Sequence, residues 1–297
     1  VTGYLAAAAD PTGIGSFINF DNFSRLVPLV VGSIVAAAIL GLLAGVIGPM
    51  IQARDLTFAV HGIAELSFAG AAAGLLIGVD VGIGSIAGSV IAALILGILG
   101  VRAKDRNSSI GVVLAFGLGL GVLFLALYKG RSSNKFGLLV GQIVAVESAK
   151  IWLLAGVAVL VLGSLAVLWR PLLFASVDTE VAIARGVPTR LLSPIFMLLL
   201  GLSVAMAVQI VGALLVLSLL ITPTAAAMRV TASPLKVTIL SVVFAVASAV
   251  GGILLSLGPG LPISPYVTTL SFLIYLVCRV VGSARGRAGW SARSVPA

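Results

Sequence analysis

The sequence predicts an all-α fold, a polytopic membrane helical bundle of about nine transmembrane helices. Three observations lead there. Of the 297 residues 60% are hydrophobic and 9% charged, whereas a soluble domain carries about 25% charged residues, so a water-facing surface cannot be covered. Glycine contributes 35 residues, as expected where helices pack closely in lipid. Apolar stretches recur along the chain at the length of about 20 residues that a helix needs to cross the hydrocarbon core.

The stretches run at 26–51, 60–79, 81–101, 110–128, 151–169, 191–208, 210–227, 237–257 and 266–281. The first stops before Arg54 and Asp55, and the second contains the small-residue run Gly70-Ala71-Ala72-Ala73-Gly74. Asp80 separates it from the third, which ends at Arg102, Lys104 and Arg106. Asn107-Ser108-Ser109 opens the fourth. The fifth lies between Lys150 and the Arg170-Pro171 break. Asp178, Glu180, Ala182, Arg185 and Gly186 then read as a short loop helix, with acids in the first turn where the helix dipole favours them and glycine as its stop. The stretch 191–227 admits two short helices, a broken helix, or one span with a re-entrant piece, and Pro223 kinks or ends its second half. The last two stretches are separated by a Gly- and Pro-rich turn.

Basic residues set the expected orientation through the positive-inside bias. With the N-terminus outside, one set of loops holds 13 Lys and Arg residues, among them Arg54, Arg102, Arg170, Arg185, Arg190 and Arg229, and the other holds five: Arg25, Lys129, Arg131, Lys135 and Lys150. The chain is therefore expected in the cytoplasmic (inner) membrane, multi-pass. Residues 1–25 would form an extracytoplasmic segment, 26–282 the transmembrane domain and 283–297 a cytoplasmic tail. Residues 1–10 lack a basic n-region, so no cleavable signal peptide is expected. The net charge of +9 does not indicate nucleic acid, because its bearers are scattered over loops. The single cysteine, Cys278, excludes an intrachain disulfide. No Gly-x-x-x-x-Gly-Lys-Ser/Thr phosphate loop is present, so any use of ATP belongs to a partner chain.

With nine acidic residues and one histidine, unusual chemistry is easy to locate. His61 and Glu65 fall inside a span four residues apart, on one helical face. An ionisable residue in hydrocarbon costs at least about 2.5–3.5 kcal/mol, and imidazole with carboxylate suits a borderline divalent cation. The competing reading pairs them with each other, or sets them at the membrane rim near Arg54. Gln209, between two apolar runs, either lines a pathway or makes an interhelical hydrogen bond. Asp80, at the outer boundary, is a further pathway candidate.

Several segments resemble the permease subunit of the ABC-3 family of zinc/manganese/iron ABC importers. They are Arg54 after the first span, Gly70 to Gly74, Asn107-Ser108-Ser109-Ile110-Gly111, Leu139-Val140-Gly141-Gln142-Ile143, Asp178-Thr179-Glu180-x-Ala182-x-x-x-Gly186-Val187, Gly260-Leu261-Pro262-x-Ser264-Pro265, and, most specific, Val211-Gly212-x-Leu214-Leu215-Val216 continuing to Pro223 and Ala227. The resemblance implies a type II ABC importer fold and a non-enzymatic transport subunit without a permanent cofactor. It implies a homodimer, a cytoplasmic ABC ATPase gripping residues 178–186, an extracytoplasmic metal-binding protein docking on outer loops that include 129–150, and a transported divalent metal, zinc or manganese first and iron third. One departure stands out. The family has an aspartate and a histidine four apart early in the second span; aligned through Gly70, those places hold His61 and Glu65, with donor order reversed. Two other classes compete: an ATP-independent secondary transporter, which would carry more buried acids, and an importer of an organic metal chelate, which would not need His61.

Overall fold

A computed structural model describes residues 27–99, 106–130, 137–138, 148–257 and 263–291. The segment 1–25, the pattern at 139–143, most of the 129–150 loop and the Gly260-Leu261-Pro262 triplet lie outside the described residues. Among the described residues all regular structure is helical. A 3-10 turn, Val27–Val30, leads into α1 (Val31–Ala53), followed by α2 (Thr57–Ile77), α3 (Val81–Leu99), α4 (Arg106–Leu127), α5 (Ser148–Val177), α6 (Thr179–Ala184), α7 (Thr189–Val211), α8 (Val216–Leu220), α9 (Thr222–Val230), α10 (Pro234–Ser256) and α11 (Ile263–Ser291). Eight of these are long and apolar enough to cross a membrane.

The expected crossing at 210–227 is a broken one. Gly212, at φ 88°, ends α7 in a conformation that L side chains avoid. A 3-10 turn, Ala213–Leu215, then leads through α8 to α9, with Pro223 in the first turn of α9. Proline has no N–H to give the preceding turn, and backbone freed in a bilayer must find partners within the protein. Here α11 reaches two carbonyls of the broken segment. Ser264 Oγ donates to the Val211 carbonyl at 3.0 Å and Ser271 Oγ to that of Ser218 at 2.9 Å. The register advances together, Ser264 beside Val211, Thr268 beside Ser218, and Tyr275 beside Arg229, so the broken segment runs parallel to α11 from one end of the bundle to the other.

Apolar burial drives little helix association inside lipid, so close packing and hydroxyl hydrogen bonds hold the bundle. Gly41 and Gly45 of α1 lie against the backbone of Val246 and Val242 of α10, and a Cβ on Gly41 would come within 2.8 Å of Val246 Cα. Gly70 of α2 meets Gly84 and Gly88 of α3 in the same way. Ser67 and Ser85 share a hydrogen bond of 2.8 Å between α2 and α3, and Thr224 and Ser241 one of 2.6 Å between α9 and α10.

Two helices outrun their expected spans. α5 continues through Arg170 and Pro171 to Val177 because Leu172, beyond the proline, is fully buried in the core. α11 continues past residue 281 to Ser291. The helix order puts Arg54, Arg170, Arg185, Arg190, Arg229, Lys236 and Arg279 at one end, the basic end, and Lys129, Lys150 and Asp80 at the other.

Candidate functional site

The second helix starts where a three-residue turn closes on α1. Arg54 N–H donates to Met50 O and Leu56 N–H to Ile51 O, and Asp55 takes a φ of 52°. This fixes the rotation of α2, and His61 and Glu65 follow in its second and third turns. His61 Nε2 lies 4.0 Å from Glu65 Oε1. The Glu65 side chain is 3% exposed and that of His61 30%. The separation exceeds a hydrogen bond. It also exceeds, modestly, the about 3.4 Å expected between two donors each 2.0–2.2 Å from a tetrahedral ion. His61 Nδ1 is buried without a hydrogen-bond partner among the described residues, a cost of about 1–3 kcal/mol. The Arg54 guanidinium makes its contacts elsewhere, with α5 and α7.

Arg54 Nε donates to Ser176 Oγ at 3.0 Å, Nη2 donates to the Leu172 carbonyl at 3.4 Å, and the guanidinium stands 5.0 Å over the Phe196 ring. Burial pulls its pKa below the ordinary arginine value. The sequence marks Arg54 as an orientation signal, a feature of the family resemblance and a residue of the rim, but not as a link to α5 and α7. Its partners lie 118 and 122 residues away, beyond any local pattern.

Asp80 and Gln209 come together at the other end. The space beside Gly82 Cα is bounded by Asp80 Oδ1 and Gln209 Oε1, each 2.8 Å from where a Cβ would stand. Asp80 has a structural role as well, accepting from the N–H groups of Gly82 and Ile83 at 2.8 and 3.1 Å and so capping α3. Gln209 Nε2 is buried without a partner among the described residues. From His61 to the end of α2 at Ile77 the rise of about 1.5 Å per residue gives roughly 24 Å. The structure thus forms two pairs, His61 with Glu65 and Asp80 with Gln209, and keeps them apart.

Helix α6 sits at the basic end. Asp178 is its N-cap, one place before the first turn, and its Oδ1 accepts from Val181 N–H at 2.9 Å; Glu180 lies in the first turn. Gly186, at φ 79°, closes the helix, and Val187 N–H returns to Ala182 O at 3.0 Å. Ala182 alone of the six residues is buried, while Val181, Ile183 and Arg185 are exposed.

Among the described residues no three His, Cys, Asp or Glu gather. The His61–Glu65 pair supplies one nitrogen and one oxygen donor, short of the four that hold a structural zinc ion.

The chain matches the ABC 3 transport family over residues 27–282. It is 31% identical to the manganese transport system membrane protein MntC of Halalkalibacterium halodurans, over 75% of this chain and 77% of that one. It is 28% identical to the manganese import system permease protein ScaB of Streptococcus gordonii, over 82% and 88%. The structure of PsaBC from Streptococcus pneumoniae in complex with Fab superposes with a TM-score of 0.76 at 25% identity, covering 90% of this chain and 95% of that one.

Proposed function

Because this chain belongs to the ABC 3 transport family, we propose that it is the permease subunit of an ATP-driven importer of a divalent transition metal. Manganese comes first, a choice that the relatives' names support, with zinc the alternative. ATP is hydrolysed by a separate cytoplasmic subunit, and the metal arrives from an extracytoplasmic binding protein. The basic end faces the cytoplasm by the positive-inside bias.

The observation that carries the reading is the His61–Glu65 pair: two donors on one face of α2, with an imidazole nitrogen left unpartnered. Two donors per chain form a passing station. They replace part of the ion's hydration without holding it, since a complete protein cage binds zinc too tightly to release. A second copy facing the first completes the pathway. The exposed Val181 and Ile183 of α6 give the ATPase an apolar foothold beside Asp178, Glu180 and Arg185. ATP-driven closure moves the ion only if it shifts the balance of inward- and outward-open states.

The test is uptake in cells lacking other importers. His61→Ala and Glu65→Gln are each expected to lower metal uptake by about tenfold or more, a barrier change near 1.4 kcal/mol, with normal membrane abundance and normal co-purification of the ATPase. Undiminished uptake in both variants contradicts the reading.

A further inference from the structure

We infer that Arg54 is a positioning residue that transmits movement of α6 to the metal-facing helix α2. The inference rests on the permease reading above and adds to it a physical connection between docking helix and ion pathway. The guanidinium joins three elements. Its Nε reaches Ser176 Oγ and its Nη2 the Leu172 carbonyl, both in the last turns of α5, and its plane covers Phe196 near the start of α7. These are the helices on either side of α6. Ser176 stands two residues before Asp178, the α6 N-cap, and is itself tied back to Leu172 O at 2.6 Å. Thr179, the first residue of α6, bonds the carbonyl of Ala175 at 3.0 Å. The base of α6 and the grip on Arg54 are therefore one hydrogen-bonded turn.

On its other side Arg54 is the C-cap of α1 and the start of the tight turn into α2. Leu56 and Asp55 are held to Ile51 and Gln52 by backbone bonds, so the turn is closed onto the end of α1 that Arg54 caps. His61 lies seven residues on. A displacement of α6 that carries the end of α5 along pulls on the turn into α2 through the Arg54 side chain.

The surroundings leave room for such a displacement. A cavity of about 330 Å³ opens between the α1–α2 turn, the ends of α3 and α5, and the starts of α4, α6 and α7, bordered by Arg54, Ala59, Ser109, Ser176, Thr179 and Met197. Close-packed interiors transmit strain and resist deformation; a void beside a polar link allows two arrangements of that link. Arginine is the residue this requires. A planar fork bonds two acceptors on one helix while stacking on a ring of another, whereas an ammonium group would do neither in fixed geometry.

The experiment uses the assembled complex in proteoliposomes, with manganese-loaded binding protein and ATP, and measures manganese transported per ATP hydrolysed. Arg54→Lys keeps the charge and loses the fork. It is expected to lower the ratio at least about fivefold, the lower end of coupling between linked sites, while hydrolysis continues. Ser176→Ala, which removes the Nε acceptor together with the serine's own bond to the Leu172 carbonyl, is expected to lower it in the same direction, and decides the matter if the lysine variant does not assemble. A ratio equal to wild type in the assembled variants, or uptake and hydrolysis falling in proportion, overturns the role of Arg54. A wild-type complex that shows no ATP-dependent uptake overturns the permease reading instead.

Discussion

At the scale of the residue, the informative side chains are those whose cost in a bilayer needs a reason. His61 and Glu65 were legible in the sequence because a charge-poor chain makes each ionisable group conspicuous and because helical spacing is a local property. The structure adds their 4.0 Å separation and the unpartnered Nδ1. Arg54 and the Asp80–Gln209 meeting were illegible, since both depend on contacts between distant helices. Asp80 shows how a polar residue at a span boundary comes to serve the fold, since its Oδ1 takes two N–H groups of the first turn of α3. Asp80→Ala is expected to cost about 0.5–2 kcal/mol through the lost cap, read as a lower melting temperature of the purified protein; Asp80→Asn should recover most of it.

Among the elements, glycine placement decides what can change. Gly45 sits against the Val242 backbone, whereas a Cβ on Gly163 meets nothing within 4 Å. Gly45→Val should separate α1 from α10 at a cost of about 1–3 kcal/mol or more, and Gly163→Ala on the exposed face of α5 should keep or slightly raise the melting temperature, since alanine is the better helix former. Helix α6 was legible almost residue for residue, because caps and stops are written locally: Asp178 before it and Gly186 after it. The break between α7 and α9 was legible only as an ambiguity. Gly212 and Pro223 announce irregular backbone, but the hydroxyls that make it tolerable, Ser264 and Ser271, belong to α11. The end of α5 was misplaced for a related reason, since Arg170-Pro171 is a local stop signal that burial of Leu172 overrides. Exchange of Val181 and Ile183 for aspartate is expected to release the ATPase from the solubilised complex; continued co-purification would count against α6 as its docking helix.

For the whole molecule, composition and the length of the recurring apolar stretches together predict a bilayer-embedded helical bundle, and the match to the ABC 3 transport family over residues 27–282 agrees. The proposed orientation makes a direct prediction. Cysteine placed at Lys129 should react with an impermeant maleimide in intact cells, and cysteine placed at Arg185 only in inverted vesicles; native Cys278 is buried within α11 and contributes little label. The central claim is that one imidazole and one carboxylate, a helical turn apart on α2, attend the passing ion. An exchange of donors between the two positions tests it most directly, because the exchange preserves the chemistry and alters only its order. Manganese uptake should fall in His61→Glu and in Glu65→His taken singly, and should recover severalfold when the two are combined. Single variants that transport like wild type, or a combined variant no better than its parents, would contradict the account.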